Sequence, residues 1–194
     1  MAPAEAVAES RDAMEALLAE VLPEGDMTSR HSTTVRATPE SIYRSISTLE
    51  VTRSPVIRTL FRLRGLRRNS ATLAQLEKQG FIPLIERPGK ALALGLAGRF
   101  WKPSGQVRRL NPDEFRAFRE PGTAKAVWAF VIEPLGAKIC RVITSTRVAC
   151  PDAESRWRFK LYWFVVGPFS GLIRRECLRL ITETAEAATD ESPR

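Results

Sequence analysis

Apolar and polar side chains alternate most clearly between residues 124 and 149. Trp128, Phe130 and Ile132 share one face of a strand, opposite Lys125, Ala129 and Glu133. Val142, Thr144, Thr146 and Val148 do the same in the next, opposite Arg141, Ser145 and Arg147. A period of two predicts strands over 124–133 and 138–149, joined at 134–137, in a sheet solvated on one side. Two earlier segments carry the same signal. Residues 28–36 place Ser29, His31, Thr33 and Val35 on one face and Arg30, Ser32, Thr34 and Arg36 on the outer one. Residues 81–86 and 91–101 read as a hairpin turning at Pro88-Gly89, with Leu92, Leu94 and Leu96 on one face and Ala and Gly on the other.

Helical spacing fills the intervals. Residues 4–22 carry Met14, Leu17, Leu18 and Val21 at one-face spacing, and the helix they predict frays or covers a sheet edge before Pro23 and Gly25 stop it. Thr38-Pro39-Glu40 joins an N-cap, a proline at the first helical position and an acid near the positive end. Ser54-Pro55 opens a second short helix ending at Gly65, and a third spans 72–79 before Gly80. Asn111-Pro112-Asp113-Glu114 opens another, through Phe118. Pro151-Asp152 begins an aromatic-rich helical region that Gly167-Pro168 is predicted to interrupt, with helix resuming over 170–188.

At 194 residues the chain suits one domain with its own core: a helical extension over 1–25, the domain proper over 26–188, and a disordered tail over 189–194. The net charge of +8 favours anionic surroundings, or reflects nothing more than an arginine-rich surface. Three cysteines without CxxC spacing read as buried thiols in a reducing compartment. No basic-then-apolar leader is present, and the longest apolar run, 161–169, falls well short of the roughly 20 residues of a membrane span. A cytoplasmic location is expected.

The order of elements, with Ser32-Thr33-Thr34-Val35, Thr38-Pro39-Glu40 and Thr144-Ser145-Thr146-Arg147-Val148 leading into the last helix, resembles the START-like (SRPBCC) superfamily over residues 28–188. Gly98-Arg99-Phe100-Trp101-Lys102-Pro103 and Pro121-Gly122-Thr123-Ala124-Lys125 look like uncharacterised bacterial members of it. The resemblance implies an α+β helix-grip fold, in which a curved antiparallel sheet wraps around a long C-terminal helix, here with an extra N-terminal helix. It also implies a cavity between that helix and the concave face. Members of the superfamily bind lipids, sterols, hormones or polyketides, some cyclise or dehydrate them, and others contact chaperones or the ribosome.

One histidine and scattered cysteines cannot build a zinc site, and no glycine-rich phosphate loop appears, so neither metal nor cofactor is expected. The candidate ligand-binding residues are His31, Leu94, Trp101, Trp128, Phe130, Thr144, Thr146 and Tyr162. The aromatics either line a cavity or fill the core, and Thr144 and Thr146 are its polar groups or simply good strand formers. His31 is the candidate proton carrier of a cyclase- or dehydratase-type enzyme, or an ordinary strand histidine. Binding, and with it transport, of a hydrophobic small molecule or lipid is the leading reading. Arg58, Arg62, Arg64, Arg67 and Arg68 form a basic run that meets an anionic membrane or ribosome surface, or only solvent. No helix-turn-helix or RNP-like pattern supports specific DNA or RNA reading, and nothing fixes the oligomeric state.

Overall fold

The computed structural model describes residues 3–63, 72–99, 101–102 and 106–190. The elements run α1 (Pro3–Val21), β1 (Met27–Val35), α2 (Pro39–Ser47), a 3-10 turn (Val51–Arg53), α3 (Pro55–Leu63), α4 (Leu73–Lys78), β2 (Ile82–Arg87) and β3 (Ala91–Arg99). They continue with β4 (Gln106–Arg108), α5 (Pro112–Ala117), β5 (Ala124–Gly136), β6 (Ile139–Ala149) and α6 (Ala153–Asp190). Local chemistry sets several of these starts. Thr38 Oγ1 accepts from the Ser41 amide, and Asn111 caps α5 reciprocally with Glu114.

All strand pairs are antiparallel, in the order β1-β6-β5-β3-β2, with β4 added to the far end of β3. The first strand thus lies beside the last, and the expected α+β helix-grip architecture is what the chain adopts. α6 crosses one face, called inner below. Val35, Phe130, Ile132 and Val142 of the sheet bury there against Ile42 and Ile46 of α2 and Leu178 and Ile181 of α6.

Four expectations need correction. The outer face is covered rather than solvated: Met14, Leu17, Leu18 and Val21 of α1 pack on Ala91, Ala93, Val127, Ala129 and Val131. Small residues on that side of β3 let the helix approach, so α1 covers a face and not merely an edge. The polar outer residues are enclosed with partners. Arg147 is buried and pairs with Glu15 of α1, and buried Lys125 donates to the carbonyls of Phe115 (3.3 Å) and Arg116 (3.2 Å).

Gly167-Pro168 does not interrupt α6, which is one helix of 38 residues. Pro168 forfeits one backbone donor, and the carbonyl it leaves free is that of exposed Phe164, where water can bond it. The helix also continues through Thr189 and Asp190, into the segment expected to be disordered. β4 carried too few residues to show a period, and Gly98 admits it: at φ +133° a Cβ would lie 2.1 Å from the Gln106 carbonyl.

Of the expected basic run, Arg64, Arg67 and Arg68 lie outside the described residues, as does the side chain of Arg62. Arg58 is on α3 and donates to the Thr52 carbonyl at 3.2 Å.

Candidate functional site

Strand register stacks the inner face into rows. His31 lies opposite Thr144, Thr144 opposite Phe130, and Phe130 opposite Leu92. The next row is Ser29, Thr146, Trp128 and Leu94. Six of the eight expected residues (His31, Leu94, Trp128, Phe130, Thr144 and Thr146) therefore occupy two neighbouring rows. Trp101 and Tyr162 do not join them. They pack around Phe159, with ring centroids 6.1 Å and 5.7 Å from it, in a cluster that includes Trp163.

The polar groups in these rows differ in what they have left to offer. Thr144 is fully buried; its hydroxyl accepts from the Trp128 indole at 2.9 Å and donates to the Ala129 carbonyl at 3.1 Å. That leaves one lone pair and no donor. Thr146 is half-buried and accepts from Arg174 Nε at 3.2 Å. Trp128 and Phe130 pack with ring centroids 5.0 Å apart and planes tilted by 50°, so part of the expected aromatic wall is self-packed.

Arg174 is the residue that sequence reasoning missed. It is 5% exposed and points inward from α6. Besides Thr146, its Nη1 donates to Ser170 Oγ at 2.8 Å, and its guanidinium lies 6.0 Å from the Trp163 ring. Among the described residues no carboxylate approaches it. Burial pushes its pKa down to about 10, which leaves it charged at neutral pH. Helical spacing was the available signal, because residue 174 falls on the side carrying Cys177, Leu178 and Ile181.

His31 stands beside this cation. A Cβ on Gly171 would sit 3.6 Å from its Nε2, so the imidazole lies against the backbone of α6. Its pKa is lowered, first by burial and then by Arg174 and Arg175, which keeps the ring neutral at pH 7. Among the described residues no side chain hydrogen-bonds to it.

Ser29, His31, Ala126, Trp128 and Thr146 keep partial exposure although they lie on the inner face. So do Tyr162, Trp163, Ser170 and Gly171 across from them on α6, whereas Phe130, Val142 and Thr144 beside them are buried. Contact between helix and sheet is therefore incomplete at this level, although His31 reaches the α6 backbone and Arg174 reaches Thr146. A polar layer occupies the gap, between an apolar cluster around Phe130 and an aromatic one around Phe159.

Two further clefts open on the outer side. One of about 560 Å³ lies among Leu22, Arg116, Arg119, Lys125 and Arg156, and one of about 540 Å³ between α1 and the Pro88-Gly89 turn. The cations of the first have protein acceptors: Asp113 for Arg116, the Phe118 carbonyl for Arg119, Asp26 for Arg156.

No family model and no curated protein matches the chain. Solved structures similar to it include a conserved protein from Geobacillus kaustophilus, at 11% identity over 84% of this chain and 97% of that one, with a TM-score of 0.42. The Zhui aromatase/cyclase from Streptomyces is 11% identical over 84% and 95%, TM-score 0.34. Norcoclaurine synthase from Thalictrum flavum, solved with dopamine and hydroxybenzaldehyde, is 12% identical over 87% and 89%, TM-score 0.34. At these values the likenesses give no residue-by-residue correspondence, and the reading of the site stands on its own geometry.

Proposed function

We propose that the protein binds an amphipathic small molecule between the sheet and α6, with an acidic group of that molecule held by Arg174. The single observation behind this reading is a buried guanidinium that has no carboxylate partner among the described residues, placed in the polar layer between sheet and helix. An unpaired buried cation is costly, and an anionic ligand group supplies the missing charge. Ser170 and Thr146 hold the guanidinium in place, and its remaining donors suit a carboxylate. Trp128 on one side, and Tyr162 with Trp101 on the other, give apolar surface for the body of the ligand. Carriage between compartments or enzymes is one use of such binding.

The chain's only histidine makes the test clean. A bound carboxylate offsets the two arginines that depress the His31 pKa, so the imidazole NMR titration shifts to higher pH. A long-chain fatty acid should produce this shift and the corresponding fatty alcohol should not. Arg174→Met should lose the shift while keeping the fold. No shift with the acid, or equal shifts with acid and alcohol, refutes the reading.

One observation favours a second reading, a cyclase- or dehydratase-type enzyme. A neutral imidazole beside a fixed cation can take a proton α to a carbonyl, with Arg174 stabilising the enolate oxygen. Deuterium exchange at that carbon of a bound keto acid, compared between wild type and His31→Ala, decides it. Identical exchange in the two proteins rules the chemistry out.

A further inference from the structure

The side of α6 away from the sheet carries its own pattern. Trp157, Leu161, Phe164, Val165, Phe169 and Leu172 are all exposed, Phe164 at 84% and Trp157 at 66%. At about 100° per residue they fall within one stripe, opposite the buried Ser155, Phe159 and Cys177. Single exposed apolar residues are ordinary, but an apolar stripe of this length marks a contact surface.

Charge indicates what covers it. From Ser155 to Arg175 the sequence holds Arg156, Arg158, Lys160, Arg174 and Arg175 and no Asp or Glu. Arg156 and Arg158 pair with Asp26 and Glu154, and Arg174 turns inward. That leaves Lys160 and Arg175 flanking the stripe, both exposed and without an acidic partner among the described residues. A second copy of the chain would bring the same cations face to face. Anionic headgroups complement them, and tryptophan and phenylalanine suit the boundary between headgroups and acyl chains.

We infer that α6 docks by this stripe on an anionic phospholipid bilayer, lying in the interface with Trp157 and Phe164 inserted and Lys160 and Arg175 at the headgroups. The described residues contain no helix long and apolar enough to cross a membrane, so the contact is peripheral. It does not depend on whether the interior holds a ligand.

The test is cosedimentation of the full chain with vesicles of phosphatidylcholine alone, or mixed with phosphatidylglycerol. Binding to the mixed vesicles only, weakening as salt rises, is expected. Trp157→Ser with Phe164→Ser should reduce it by more than about tenfold, since each ring loses its burial in the acyl region. Lys160→Glu should reduce it severalfold at low salt. Because these side chains are exposed, melting temperatures should stay unchanged. Absence of binding to the mixed vesicles overturns the inference. So does undiminished binding by the double variant, or a wild-type dimer that the double variant converts to monomer without either binding vesicles. Should the double variant melt early, Lys160→Glu decides alone, and unchanged binding by it overturns the inference.

Discussion

Arg147 and Arg174 lie on opposite sides of the sheet and are about equally buried, yet only Arg147 has a carboxylate. The contrast separates an arginine that ties α1 down from one that, among the described residues, is kept charged without a carboxylate. Burial first, and then Arg174 with Arg175, hold the folded pKa of His31 below the ordinary 6.5. The unfolded chain therefore binds that proton more readily. Stability from this residue is complete above pH 6.5 and is lost as pH falls from there toward the lowered value. The lowered carboxylates titrate elsewhere, Glu176 below 4.5 and Asp152 between 3.8 and about 2. Melting temperature should thus fall as the pH drops from about 6.5 to about 5, and His31→Gln should flatten that part of the curve. An unaltered slope in the variant contradicts the placement of His31 beside the two arginines. At this scale the sequence was half legible. Alternation put His31, Thr144 and Thr146 on the correct face, because a strand's period of two leaves no choice. It gave no hint that Thr144 spends its proton on Ala129, which depends on contacts across the sheet.

At the scale of elements, patterns that are local in origin came through and those decided by packing did not. Caps and prolines located the starts of α2, α3 and α5, since an N-cap satisfies amides within its own turn. Pro168 misled, because a proline's local cost can be outweighed by what the rest of the helix buries. Leu178, Ile181 and Ala185 lie beyond it and are anchored in the core, so the two halves of α6 stay joined. Pro168→Ala restores a donor to the Phe164 carbonyl without disturbing a buried contact. It should stabilise the protein by up to about 3 kcal/mol, read from chemical denaturation at constant m-value. Destabilisation would mean that the proline shapes α6 around the gap, and ligand binding by that variant would then show whether the shape matters.

For the whole molecule, the layers matter more than any single element. Sequence alternation suggested a sheet solvated on one side and the family resemblance implied a helix gripped against the other, yet the sheet is covered on both sides. The outer cover was hard to read because the residues that receive α1 are small or serve either environment: Ala91, Ala93, Val127 and Ala129 fit a solvated face as well as a packed one. With α1 in place the sheet is fixed from outside, while its inner side keeps partial exposure around Thr146 and Trp128. This division of labour predicts that the outer layer carries stability and the inner layer carries binding. Leu18 is fully buried in the outer layer, on the opposite side of the sheet from the candidate site. Leu18→Ala should cost about 2–5 kcal/mol, the range for a deleted core leucine, measured by denaturant unfolding. Below the unfolding transition the variant should still give the carboxylate-dependent shift of the His31 titration. A lost shift in a folded Leu18→Ala protein would mean that the two layers are coupled through the sheet. A cost under about 1 kcal/mol would mean that α1 is not the cover of the outer face.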